Sequence, residues 1–307
     1  MSIQTKIAEG GNSGETTAPR TEWGIDLKIA TKVLEVVDAG LVSGVGKPIP
    51  GQMCVEAAVC YALDLPHGDD PECVSRALRS LKIKLNDSSW SSNAARTKGL
   101  RRLALIQLGS RNHLDDKEFA KRVTELAIRK QVPIALRTTA SINKQPLHKQ
   151  ALLDAANKCE IEGSRQSAFD AREVAREARR AAYAAADAAA YAYASTYADA
   201  ATYAAAYAAA DAAEVAAADA AADADAAAAA YAAAAADVAA AAAADVAAAA
   251  AAAATTYADA ATYAAAAADA DAARDKILSD FAEDVVQILI DMKVPGVQWL
   301  PLTEVQP

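Results

Sequence analysis

The chain has 307 residues, with 31 Lys and Arg against 40 Asp and Glu, a net charge of −9, and a hydrophobic content of 53%. Both averages mislead: residues 181–273 hold 63 Ala in 93 positions, nine of the ten Tyr, 11 Asp and one Glu, and no Lys, Arg, Gly, Pro, Leu, Ile or Phe. No stretch there reaches the roughly 18–20 uncharged apolar residues of a membrane span, and four Cys in a chain without an apolar leader exclude a disulfide framework; a cytoplasmic protein with reduced thiols and no membrane contact is expected.

Residues 1–22 are rich in Gly, Ser and Thr and read as a disordered arm. An all-α head follows over 23–163. Apolar residues at three- and four-residue spacing, Ile25, Ile29, Val33, Val36, Val37 and Leu41, predict a first helix closed by Gly40, Gly44 and Gly46. A second is predicted from about 52 to 65, stopping at Pro66. Asp69 with Glu72 has the spacing of a capping box for a third, and Asp115 with Glu118 for a fifth. Ser91-Ser92 opens the fourth, ending at Gly109; the fifth ends near Pro133; a sixth covers about 147–162 before Gly163. No run alternates with period two for long enough to argue a sheet.

From Ser164 to Val294 there is neither Gly nor Pro. Alanine is the strongest helix former, so residues 164–273 read as a helical module, with antiparallel helices favoured over one rod. As a single helix, residues 181–273 would reach about 140 Å. An eleven-residue unit beginning Thr196, Tyr197, Asp199, Thr202, Tyr203 recurs sixty positions on as Thr256, Tyr257, Asp259, Thr262, Tyr263. This marks a duplication, with helix breaks expected near 195 and 255. Residues 274–307 form an amphipathic docking helix, with Ile277, Leu278, Phe281, Val285 and Leu289 on one face, and a tail whose Trp299 and Leu300 dock on the head or on a second copy.

Four chemical readings compete. Cys54, Glu56, His67, Asp70 and Cys73 contain the residue types of a Cys nucleophile with a base, or of a metal site. The six-residue step from Cys54 to Cys60 turns about 120° around a helix and does not chelate as a CxxC pair does, so no metal and no cofactor is expected. Arg76, Arg79, Lys82, Lys84, Arg96, Lys98, Arg101 and Arg102 face only Asp87 in the same stretch, a local charge of +7. That run could meet a phosphate backbone, yet Trp90 alone is available for stacking; nucleic acid is the weaker alternative to the acidic module as its partner. Periodic Thr in alanine helices would suit ice, but Thr196 and Thr202 are six apart and Tyr protrudes around them.

The segments GQMCVEAAVC (51–60), HGDDPECV (67–74), LNDSSWSS (85–92) and GLRRLA (99–104), with an echo in VQILI (286–290) and QWL (298–300), resemble a recurring bacterial and phage family of uncharacterised proteins. The resemblance covers roughly residues 25–140. It implies a bacterial or phage origin and brings no activity and no functional residue with it, beyond drawing Cys54, Glu56, His67, Asp70, Cys73, Asn86 and Asp87 together as a constellation. The expected function is a non-enzymatic helical interaction or scaffold protein, self-associating through the basic face of the head and the acidic module. The alternative is an enzyme or metalloprotein using Cys54, His67 and Cys73.

Overall fold

The computed structural model describes residues 23–190 and 260–304. Among them there is no strand, and the protein is all-α. Helices α1 (Leu27–Asp38), α2 (Val55–Ala62), α3 (Arg76–Asn86), α4 (Asn93–Ile106) and α5 (Asp116–Leu126) are followed by a π turn, Ala127–Gln131. Then come α6 (Val132–Ile142), α7 (Pro146–Glu162), α8 (Arg165–Ala190), α9 (Ala260–Asp291) and a 3-10 segment, Pro295–Glu304.

Helix starts follow side chains that satisfy orphan backbone N–H groups. Asp26 accepts from the Ile29 amide, Ser92 from Ala95 and Asp115 from Glu118, so the fourth and fifth helices open where the sequence places them. The Asp69/Glu72 capping box does not form. The third helix starts at Arg76 on Ser75, whose hydroxyl takes the Leu78 amide, while the Asp69 carboxylate accepts from Arg79. Pro133 does not end a helix either. It enters the first turn of α6, which the sequence reading lacked, directly after the π turn. There the hydrogen-bond register widens to i→i+5, and a residue without an N–H is tolerated at the start of the next α segment.

Two apolar cores organise the body. The larger joins α1–α5 to Leu278, Phe281, Val285 and Leu289 of α9 and to Trp299 and Leu300 of the 3-10 segment. The C-terminal helix is therefore part of the head's own core; side chains such as Phe281 and Leu289, at 0% exposure, each stabilise by about 1.5–3 kcal/mol. The smaller core is built from Ile128, Val132 and Leu136, from Leu152, Ala156 and Cys159, and from Ala168, Ala171, Ala175 and Ala178. The α8 alanines repeat at alternating three- and four-residue steps, a narrow stripe of methyl groups that seats the helix against α7. The boundary read at 163/164 thus falls at a turn inside this second core. Arg129 fastens it, donating to the carbonyls of Glu160 (2.9 Å), Ile161 (2.6 Å) and Glu162 (3.0 Å) at the end of α7. Ile277 borders both cores.

No helix among the described residues is long and apolar enough to cross a membrane. The first repeat, with Thr196, Tyr197, Asp199, Thr202 and Tyr203, lies outside the described residues, as do Thr256, Tyr257 and Asp259 and the breaks expected near 195 and 255. Thr262 and Tyr263 of the second copy fall within α9.

Candidate functional site

The motif residues converge on the segment between α1 and α2. The chain turns at Gly40, touches itself at the Leu41–Met53 and Gly46–Met53 bridges, and enters α2 at Cys54. Gly46 has φ +73°, and a Cβ there would come within 2.9 Å of the Met53 Cα, so only glycine fits. Asn86 and Asp87, at the end of α3, hold this loop. Asn86 donates to the Val42 carbonyl at 2.9 Å and accepts from the Val55 amide at 3.3 Å. Asp87 accepts from the Gly44 amide at 2.7 Å. His67 is exposed, with Nε2 3.1 Å from the Gly46 carbonyl oxygen, so the histidine braces the loop.

Beneath the loop lies a buried ion pair. Glu56, one residue into the first turn of α2, meets Lys82 of α3 at 2.6 Å (Oε1 to Nζ), and both side chains are 0% exposed. Apart from this contact, neither carboxylate oxygen nor the ammonium has a hydrogen-bond partner among the described residues. Burial pushes the Glu56 carboxyl up against the pull of Lys82, and burial pushes the Lys82 ammonium down against the pull of Glu56. A cavity of about 70 Å³ adjoins the pair, lined by Gly44, Val45, Cys54, Glu56, Asn86 and Asp87 among others. That is room for small polar molecules such as water.

The cysteines near this pair are all buried and free. Cys54 is the N-cap of α2, its sulfur accepting from the Ala57 amide at 3.3 Å, and burial raises its pKa. Burial first, and Glu56 second, push Cys60 to about 12; burial pushes Cys73 to about 11. High thiol pKa values oppose nucleophilic use, which needs the thiolate. Among the described residues no hydrogen bond or ion pair joins His67 to a cysteine, and no group of three His, Cys, Asp or Glu side chains could hold a metal ion. Asp70 is exposed and 3.4 Å from Arg79. Of the candidate set, the described contacts are those of His67 with the Gly46 carbonyl, Cys54 with the Ala57 amide and Glu56 with Lys82.

The eight cations of residues 76–102 do not share one face. Lys82 is inside. Arg79 is clamped by Asp69, through both its carbonyl and its carboxylate, and by Asp70. Arg96 is buried, donating to the Asn86 carbonyl at 2.8 Å and to the Asn93 side chain. Arg101 grips Asp38 with two bonds, 2.6 and 3.0 Å, and reaches the Thr303 carbonyl, tying the 3-10 segment down. Arg102 pairs with Glu283 of α9. Arg76, Lys84 and Lys98 are exposed and make no ion pair among the described residues. The correction has a simple cause: a charge run in sequence spans two helices, and each helix turns its residues through all directions.

The sequence reading placed Lys82 on the surface, although a signal for burial was present. Leu78, Leu81, Lys82 and Leu85 follow the i, i+3, i+4, i+7 pattern of a core-facing stripe, so position 82 belongs to the apolar side of α3.

No protein-family model, no curated protein and no solved structure matches this chain.

Proposed function

We propose that the protein is a non-enzymatic helical interaction protein: a charge-balanced helical body that carries an acidic Ala/Asp/Tyr segment and self-associates through it. One observation carries this reading. The helices on either side of residues 191–259 are built into the same body, α8 through Ala168, Ala171, Ala175 and Ala178 and α9 through Leu278, Phe281 and Val285. The segment between them is thereby tethered at both ends. It holds eight Asp, one Glu and no cation, so the whole net charge of −9 sits on it, while the rest of the chain has 31 cations against 31 anions. Such a segment attracts a basic surface, and its tyrosines supply the apolar contact that alanine methyls lack. On a second copy Arg76, Lys84 and Lys98 are exposed cations that such a segment could meet.

Sedimentation velocity across salt tests the reading. The screening length falls from about 30 Å at 0.01 M to about 3 Å at 1 M salt. The full chain is expected to associate at low salt and to be monomeric at high salt. A variant with residues 191–259 replaced by a Gly/Ser linker is expected to be monomeric at both. A full chain that sediments as the same monomer at both salts refutes the proposal.

A further inference from the structure

Among the described residues Leu147 is the most exposed large hydrophobic side chain, at 79%. It lies in the first turn of α7, between Lys144 of the α6–α7 connection and Lys149, and both lysines are exposed. Residues 126–153 contain five Lys and Arg and no Asp or Glu. Three of the five are committed elsewhere: Arg129 to the end of α7, Lys130 to Asp284 and Arg137 to Glu160. Lys144 and Lys149 remain at the surface, and Lys149 makes no ion pair among the described residues. α8 brings a further cation to this end. The two helices run antiparallel: Cys159 donates to the Ser167 carbonyl, Lys158 meets Asp170, and further along Ala151 lines one crevice with Val174. Continued at about 1.5 Å per residue, that register brings the exposed Arg180 to the level of Leu147.

We infer that this end of the smaller core, Leu147 with Lys144, Lys149 and Arg180, receives the acidic segment of a second copy, tyrosine rings resting on Leu147 and carboxylates on the cations. The inference rests on the self-association proposed above and names the surface on which it occurs. Complementarity selects both the place and the occupant. Residues 191–259 hold nine carboxylates, seven Tyr and no cation, so they ask for positive charge and an aliphatic contact together. α3 and α4, which carry the exposed Arg76, Lys84 and Lys98, expose no large hydrophobic side chain. Ile161, 75% exposed at the other end of α7, stands between Glu160 and Glu162 and would repel the segment. The Leu147 end offers both requirements.

Sedimentation velocity of the full chain at low salt, over a range of concentrations, compares the parent with three variants. Lys144→Glu/Lys149→Glu is expected to weaken association about tenfold or more, because two attractions become repulsions in weakly screened solvent. Lys84→Glu/Lys98→Glu changes the net charge equally on α3 and α4 and is expected to weaken it no more than about twofold, through overall repulsion alone. Leu147→Ser changes no charge and is expected to weaken association severalfold, since the aliphatic contact is lost. Every substituted position is exposed, so each variant is expected to melt with the parent. Association that survives Lys144→Glu/Lys149→Glu, equal weakening by the two lysine pairs, or unchanged association of Leu147→Ser would each overturn the placement while the self-association itself stands. A parent that stays monomeric at low salt overturns both. If the α7 variants leave association intact and instead raise the frictional ratio of the monomer, the surface holds the chain's own segment, and the assignment to a second copy is overturned.

Discussion

Lys82→Met removes the ammonium that lies 2.6 Å from Glu56, the one ion pair of that carboxylate among the described residues, in surroundings where both side chains are 0% exposed. Methionine keeps much of the stem's volume, so packing changes little and the electrostatic loss dominates. Breaking a buried pair on one side costs about 3–5 kcal/mol, because the remaining charge stays desolvated; removing both charges is often neutral or stabilises by about 1–4 kcal/mol. The single variant is therefore expected to lose about 3–5 kcal/mol in urea unfolding at neutral pH, with the slope m unchanged. The double variant Glu56→Leu/Lys82→Met is expected to recover most of that loss. The pH dependence gives a second readout. Glu56 has a folded pKa above its ordinary 4.5, so above that pH the folded chain binds more protons than the unfolded one and stability falls as pH rises. Lys82 is lowered from 10.5, so its contribution recovers as pH climbs toward that value. Without Lys82 the Glu56 carboxyl moves higher still. The single variant is thus expected to lose stability more steeply between pH 4.5 and neutrality, by at most about 1.4 kcal/mol per pH unit for one proton. A Lys82→Met variant within about 1 kcal/mol of the parent, with a parallel pH profile, would refute the buried-pair argument.

Three further outcomes test the packing of the body. All four thiols are expected to resist a disulfide reagent in the folded chain at about pH 8 and to react together in denaturant. Because Cys60 is held at about 12, and Cys73 and Cys159 at about 11, against an ordinary 9.0, stability is expected to fall as pH rises above 9.0, by up to about 1.4 kcal/mol per pH unit for each thiol. Rapid reaction of two or more thiols in the native protein would contradict the burial described. Gly99→Ala places a Cβ 2.6 Å from Trp90 Cζ3 and 3.0 Å from Ser279 Oγ. The indole cannot retreat freely, since its N–H is bonded to the Leu85 carbonyl at 2.9 Å, so overpacking of about 1–3 kcal/mol is expected in the denaturant midpoint. An unchanged midpoint would show that the ring gives way.

Local rules reached a long way here. The all-α class, the caps at Ser92 and Asp115, the stop at Gly163 and the apolar stripe of α9 all follow from neighbours three or four residues apart, because helix formation is settled within a turn or two. Contacts between distant segments were not available to the same reasoning. That Glu56 would find Lys82, that Arg101 would bridge Asp38 and Thr303, and that Asn86 and Asp87 would hold a glycine loop depends on which helix faces which. A positive run in one dimension was dispersed by two helix directions in three. Composition alone determined where the charge resides, since −9 on residues 191–259 needs no fold. Only the tertiary structure decided that the helices flanking that segment both pack into one body, because the burial of Phe281 among α1–α5 and of Ala171 against α7 is a property of packed surfaces, which no single segment contains.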